Sequence, residues 1–224
     1  FRRYFAAMGG AFWTILSIIL VLLWIGVMYL WFMIRHFRRE PLVDPKNGLR
    51  LLTVLGSGGH TTEMLDLLKH FNDEAYSSRT YVVADTDNHS ERKALESEQA
   101  RHSGTFVVEK IPRSREVGQS YLSSVFTTAY ASLHAFIIVS RTRPSIVLVN
   151  GPGTCVPVAI SAALLDMLRL ANTRIVYVES ICRVERLSLT AAILYYSGLA
   201  DDVIVQWPQL KDTYPRVRTL DEMQ

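Results

Sequence analysis

LLTVLGSGGHTTEML, residues 51–65, passes from an apolar, β-branched run through Gly-Ser-Gly-Gly-His into a helix-period pattern. A strand that ends in clustered glycines and reopens as a helix is the βα turn of a parallel α/β sheet. Working outward, the same alternation recurs. Strand-like runs lie at 50–55, 79–84, 105–111, 145–150, 174–179 and 202–207, with helical patterns at 60–71, 89–101, 120–140, 154–169 and 188–197. Continuous apolar strands separated by helices predict a Rossmann-like parallel sheet over residues 49–224, covered on both faces.

Ahead of that domain, residues 4–34 carry no charged side chain, and 11–34 are apolar almost throughout. A spanning helix needs about 20 such residues, so 1–40 is read as an uncleaved anchor with its membrane helix at about 11–34. A signal peptide would have a shorter apolar region and a small-residue cleavage site. Trp13 at one end and Tyr29, Trp31 and Phe32 at the other suit the interfacial belts. Arg35, Arg38 and Arg39 follow the helix, against Arg2 and Arg3 before it, which favours a cytosolic C-terminal side. PLVDPKNG (41–48), with two prolines and a glycine, reads as a linker.

Charge and cysteine content exclude several classes. Five of the 24 Lys and Arg, and one of the 21 acidic residues, lie in 1–40, so the remainder carries about −1. No basic field for nucleic acid exists there. Cys155 and Cys182 alone make no disulfide framework.

In open α/β sheets, ligands bind beyond the carboxyl ends of the strands. Gly56, Ser57, Gly58, Gly59, His60 and Thr61 sit at the first such end, where backbone N–H groups at a helix start attract phosphate; a tight turn with no ligand is the plain alternative. NGPGTCVP (150–157) brings Asn150, Gly151, Gly153 and Thr154 to a second glycine-rich turn. IPRSREVGQS (111–120) brings Arg113 and Arg115, which singly read as solvated charges. ESICRVER (179–186) brings Glu179, a capping partner or half of an ion pair, and Arg183. Together these loops favour a diphosphate. Dinucleotide binding fits less well: the fingerprint's third glycine is Thr61, and the nearest acid at a second-strand end, Asp85, is about 30 residues on rather than about 20. No metal or cofactor is expected.

GSGGHTTEML, ADTD (84–87), IPRSREVGQS, VFTT (125–128), NGPGTCVP, VYVESICRVE (176–185) and VQWPQLKDTYP (205–215), in this order over residues 50–215, resemble the asparagine-linked glycosylation protein 14 family. The resemblance implies the N-terminal half of a GT-B glycosyltransferase. It further implies a soluble catalytic partner of the asparagine-linked glycosylation protein 13 type, which binds UDP-N-acetylglucosamine. The pair would add the second, β1,4-linked N-acetylglucosamine to N-acetylglucosaminyl-diphosphodolichol on the cytosolic face of the endoplasmic reticulum membrane. A more distant likeness is to the bacterial peptidoglycan N-acetylglucosaminyltransferase, with its Gly-Gly-His turn. These likenesses make His60 the candidate base and Glu179 a second candidate or acceptor-orienting group. The glycine-rich turns with Arg113 and Arg115 become the acceptor diphosphate site. No second run of βα units follows residue 207, so the chain alone is expected to bind UDP-sugar poorly. The ending YPRVRTLDEMQ is polar where the family carries an apolar tail. The rival readings are a non-catalytic recruitment scaffold and a membrane-tethered NAD-dependent reductase.

Overall fold

The computed structural model describes residues 2–37, 48–101, 103–114, 118–151 and 153–223. The linker read at 41–48 lies outside them except for Gly48, as does Arg115. The chain divides into two compact units, Phe1–Pro41 and Leu42–Gln224.

In the first unit, helix α1 spans Arg2–Phe37. Its stretch Trp13–Trp31 is long and apolar enough to cross a membrane and has no buried residue among those described. Nineteen residues at 1.5 Å each give about 28 Å, close to the ~30 Å hydrocarbon core. Bare Ile, Leu and Val around the whole circumference suit lipid and would be unfavourable in water.

The second unit is a seven-stranded sheet, every pair parallel: β1 (Arg50–Val54), β2 (Ser78–Ala84), β3 (Thr105–Ile111), β4 (Ile146–Val149), β5 (Arg174–Val178), β6 (Asp202–Val205) and β7 (Arg218–Thr219). The order is β3-β2-β1-β4-β5-β6-β7. The connecting helices are α2 (Gly59–Leu68), α3 (Asn88–Gln99), α4 (Tyr121–Thr142), α5 (Cys155–Met167) and α6 (Leu189–Ser197), with a single turn, α7, at Leu210–Thr213. Right-handed crossovers place α2 and α3 on one face and α4 to α6 on the other, and α2 packs on α3, α4 on α5 and α5 on α6. Central strands are buried because both faces are covered: Leu51, Leu55, Met64, Leu68, Tyr81 and Leu148 form one continuous core. β3 departs from that expectation. As an edge strand it leaves Phe106 and Val107 exposed.

α4 also passes the length and composition test for a membrane span. It joins β3 to β4 of one sheet, however, and buries Ala131, Ala135 and Val139 completely, so it lies along the sheet. Its outer side exposes Phe126, Tyr130, Leu133 and Ile137 at spacings of four, three and four, one helical stripe.

The polar ending finds a place that periodicity does not announce. Arg218 and Thr219 pair with Ile204 and Val205 as β7, Val217 is buried, and the Arg216 guanidinium stacks 4.3 Å over the Tyr195 ring. A two-residue strand is too short to leave an alternation in the sequence.

Candidate functional site

β1 pairs with β2 on one side and β4 on the other, with Val54 level with Val149. The chain leaves β1 toward one face and β4 toward the opposite face, so a crevice opens between the two turns at this switch point. The cleft there has a volume of about 1130 Å³.

Two helix starts point into it. α2 opens at Gly58, with φ +70° and ψ −126°, and α5 opens at Thr154; neither first turn is capped by a side-chain hydrogen bond. An uncapped first turn leaves backbone N–H groups, and the positive end of the helix dipole, for a ligand. At α5 the Val156 N–H already donates to the Gly153 carbonyl at 3.1 Å and Pro157 has none, so that start contributes mainly its dipole. By contrast α3, α4 and α6 are capped by Asp87, Ser120 and Ser188. The two starts at the switch point are thus distinguished from α3, α4 and α6. A Cβ on Gly59 or Gly153 would meet nothing within 4 Å, so the backbone there is open to close approach.

His60 stands in the first turn of α2 and lines the cleft. Its ring lies against Gly151, where φ is +91° and a Cβ would fall 2.5 Å from the imidazole Cγ. His60 Nδ1 is 2.8 Å from Asn150 Oδ1. Asn150 Nδ2 donates to Glu63 Oε2 at 3.1 Å, and Ser180 Oγ donates to Glu63 Oε1 at 2.8 Å.

Glu179 also reaches the cleft wall but is 1 % exposed. Its carboxylate accepts the backbone N–H of Ser180 at 3.0 Å and of Ser188 at 2.7 Å, and so closes the loop 179–188 onto the sheet edge. Beside it the Tyr177 phenol bonds with Ser188 Oγ at 2.9 Å; burial, then the Glu179 charge, pushes that phenol up. Arg113 donates to Thr86 Oγ1 at 3.0 Å, and Arg113 and exposed Arg183 both line the cleft. Ser114, next to Arg113, is buried in the cleft wall. Its hydroxyl has no hydrogen-bond partner among the described residues.

The structure therefore gathers Ser57, Gly59, His60, Arg113, Gly151, Gly153, Thr154 and Glu179 around one cleft, with Gly58 exposed at its edge. Three residues read as diphosphate contacts face elsewhere. The Thr61 hydroxyl is fully buried, bonded to the Gly56 carbonyl and to Ser90 Oγ at 2.6 Å. This bond draws the Gly56 carbonyl into the protein and sets the turn. Asn150 is buried between His60 and Glu63. Sequence reading missed Glu63 and Ser180: Glu63 looks like an ordinary polar position of an amphipathic helix. The signal was its place one turn after His60, on the same helix face. Cys155 is packed below the α5 start, donating to the Asn150 carbonyl at 3.4 Å; burial pushes its thiol up to about 12. Among the described residues no His, Cys, Asp and Glu cluster could hold a metal ion.

Comparison with known proteins adds three findings. Residues 51–222 match the family model described as "Oligosaccharide biosynthesis protein Alg14 like". The chain is 50 % identical over 185 residues to UDP-N-acetylglucosamine transferase subunit ALG14 of Rattus norvegicus, covering 80 % of this chain and 84 % of that protein. It is 46 % identical over 197 residues to the Homo sapiens subunit of the same name (85 % and 88 % covered), and 46 % over 169 residues to that of Yarrowia lipolytica (75 % and 77 %). Among solved structures, MurG of Acinetobacter baumannii superposes with a TM-score of 0.55 at 18 % identity, over 77 % of this chain and 44 % of that one. The sheet unit thus shares its fold with part of that protein, of whose length this chain covers less than half.

Proposed function

Because the chain belongs to the Alg14 family, we propose that it is the membrane-anchoring, acceptor-binding subunit of a UDP-N-acetylglucosamine transferase. Its acceptor is N-acetylglucosaminyl-diphosphodolichol, which receives a second, β1,4-linked N-acetylglucosamine on the cytosolic face of the endoplasmic reticulum membrane. The nucleotide sugar is bound by a soluble partner of the asparagine-linked glycosylation protein 13 type. The name that these relatives share, a transferase subunit, supports a divided enzyme.

One observation carries the acceptor assignment: the two side-chain-uncapped helix starts, at Gly58 and Thr154, converge on a cleft that also holds Arg113 and Arg183. The N–H groups at the α2 start, the positive end of the α5 dipole and two guanidinium groups match the charge of a diphosphate. On the α4 and α6 side the wall turns apolar, with Val125, Leu189 and Ile193, and it runs on into the exposed stripe of α4. That gradient suits an acceptor with a charged link and a lipid tail. Arg115 belongs to the same proposed site by sequence.

His60 acts as the base. As the acceptor hydroxyl oxygen bonds to the anomeric carbon, UDP leaves with the bonding electrons and the imidazole takes the hydroxyl proton. Such proton transfer contributes about 10²–10⁴-fold. Glu179 holds the loop that forms the wall. Both its oxygens are occupied by backbone N–H groups, which makes it the poorer base.

The test is purification of the full chain in detergent, identification of its partner by mass, and assay of transfer from UDP-N-acetylglucosamine to a short-chain lipid diphosphate. The reading expects transfer by the pair and none by the isolated chain. Full turnover in the pairs carrying His60→Ala and Glu179→Ala would reduce the chain to a recruitment scaffold.

A further inference from the structure

The hydrogen-bond chain behind His60 has a single consistent direction. Glu63, as a carboxylate, can only accept. Its Oε1 takes the Ser180 hydroxyl proton and its Oε2 faces an Asn150 side-chain atom at 3.1 Å. That atom must be the amide NH2, because a carbonyl there would meet a carboxylate oxygen. Asn150 therefore turns its carbonyl oxygen to His60 Nδ1 at 2.8 Å, and a carbonyl accepts. Nδ1 must carry the proton, and neutral imidazole then has its lone pair on Nε2, which has no hydrogen-bond partner among the described residues.

We propose that Asn150 and Glu63 are positioning residues that hold His60 as the Nδ1–H tautomer, with Nε2 ready to take the acceptor's proton. The inference rests on the reading of His60 as base. Three observations support it beyond the bond chain. The His60 ring is backed by Gly151, the one residue type whose missing Cβ leaves room for it. Asn150 is 2 % exposed, so its amide is shielded from exchange with water. Glu63 Oε2 lies 3.9 Å from Nδ1, too far to bond directly, so among the described residues Asn150 alone bonds to Nδ1. The free histidine side chain favours the Nε2–H form, which has no lone pair on Nε2 for a base to use. Asn150 reverses that preference.

Among the described residues, the titratable and charged groups sharing the cleft with His60 are Glu63 from α2, Asp87 beyond β2, Arg113 beyond β3, and Glu179, Cys182 and Arg183 beyond β5. A pH profile alone would mix them, so the decisive measurement is made on the ring itself. The complex is prepared with ¹⁵N-histidine, and the His60 signals are identified by their absence in His60→Gln. Wild type is expected to show protonated Nδ1 and unprotonated Nε2. Asn150→Ala is expected to move the ring to the Nε2–H form. Turnover should fall by about 10²-fold, the cost of a misplaced reacting group, with little change in acceptor KM. The exchange pair Asn150→Asp with Glu63→Gln keeps every donor opposite an acceptor. It should restore the Nδ1–H tautomer and most of the turnover. A wild-type Nε2–H signal, or unchanged turnover in Asn150→Ala, overturns the inference, even if none of the paired variants folds. Loss of turnover in His60→Ala alongside either result leaves the base reading standing. Full turnover in His60→Ala sinks the base reading itself.

Discussion

Gly151 and Gly59 are both glycines at the cleft, yet they are glycines for opposite reasons. At Gly151 the backbone is left-handed, with φ +91°, and a side chain would collide with the His60 ring at 2.5 Å. At Gly59 the backbone is helical and a Cβ would meet open space. Gly59→Ala should therefore fold normally and even favour α2 by up to about 1 kcal/mol. Its methyl group projects where backbone N–H groups would approach the acceptor, so acceptor KM should rise while melting temperature holds or increases. Gly151→Ala should instead lower turnover, because the imidazole must shift, and lower stability through strain of about 1–3 kcal/mol. Steady-state kinetics and thermal melts of the two variants separate these outcomes. Equal effects on KM would show that Gly151 also serves the acceptor.

Among the elements, α3 shows how a weakly apolar helix is held. Its sequence, NHSERKALESEQ, offers little for the core, and Ala94 is its one buried hydrophobe. Polar links attach it at both ends. Asp87 caps its start by accepting from Ser90 N at 3.0 Å. Near its end Glu98, 5 % exposed, takes Arg79 Nε and Nη2 at 2.8 and 2.7 Å and the Tyr81 hydroxyl. Burial, with the Glu98 carboxylate beside it, pushes the Tyr81 phenol up. Removing one member of a buried, hydrogen-bonded pair leaves the other charge uncompensated. Glu98→Ala should thus destabilise the sheet unit by about 3–5 kcal/mol, read as a lowered denaturation midpoint. The same change at exposed Glu96, whose contact with Arg92 spans 3.8 Å at the surface, should cost well under 1 kcal/mol. Similar losses at both sites would refute the role given to the buried pair. Ser90 extends this logic to the site, since its hydroxyl bonds to Thr61, which in turn sets the Gly56 carbonyl.

For the whole molecule, the chain divides into two compact units. The sheet unit, Leu42–Gln224, has its own core, made entirely of residues beyond 50. Deleting residues 1–41 should leave circular dichroism of the α/β unit intact and its partner binding unchanged. In cells the partner should then lose its membrane fraction. Continued sedimentation of the truncated pair with membranes would assign the attachment to another surface, and the exposed stripe Phe126, Tyr130, Leu133 and Ile137 is the first place to substitute.

Local pattern was sufficient for the α/β class, the parallel strands and the apolar helix at the N-terminus, because each depends on the period and length of apolar runs. It also singled out the turns at 56–61 and 150–154, since glycines clustered between a strand and a helix have few other uses. β7 escaped it, being two residues long and stabilised by pairing with β6 rather than by its own side chains. The bonding roles within the site also escaped it. Nothing in GSGGHTTEML distinguishes Thr61, turned inward to Ser90, from Ser57, turned to the cleft. Nothing near Asn150 announces a partner 90 residues earlier. Those roles arise where β1 and β4 lie side by side and their helices depart to opposite faces. Sequence determines which residues reach the sheet edge. Which of them bond to each other, and which are left for a ligand, is decided by directions in space that only the packed sheet supplies.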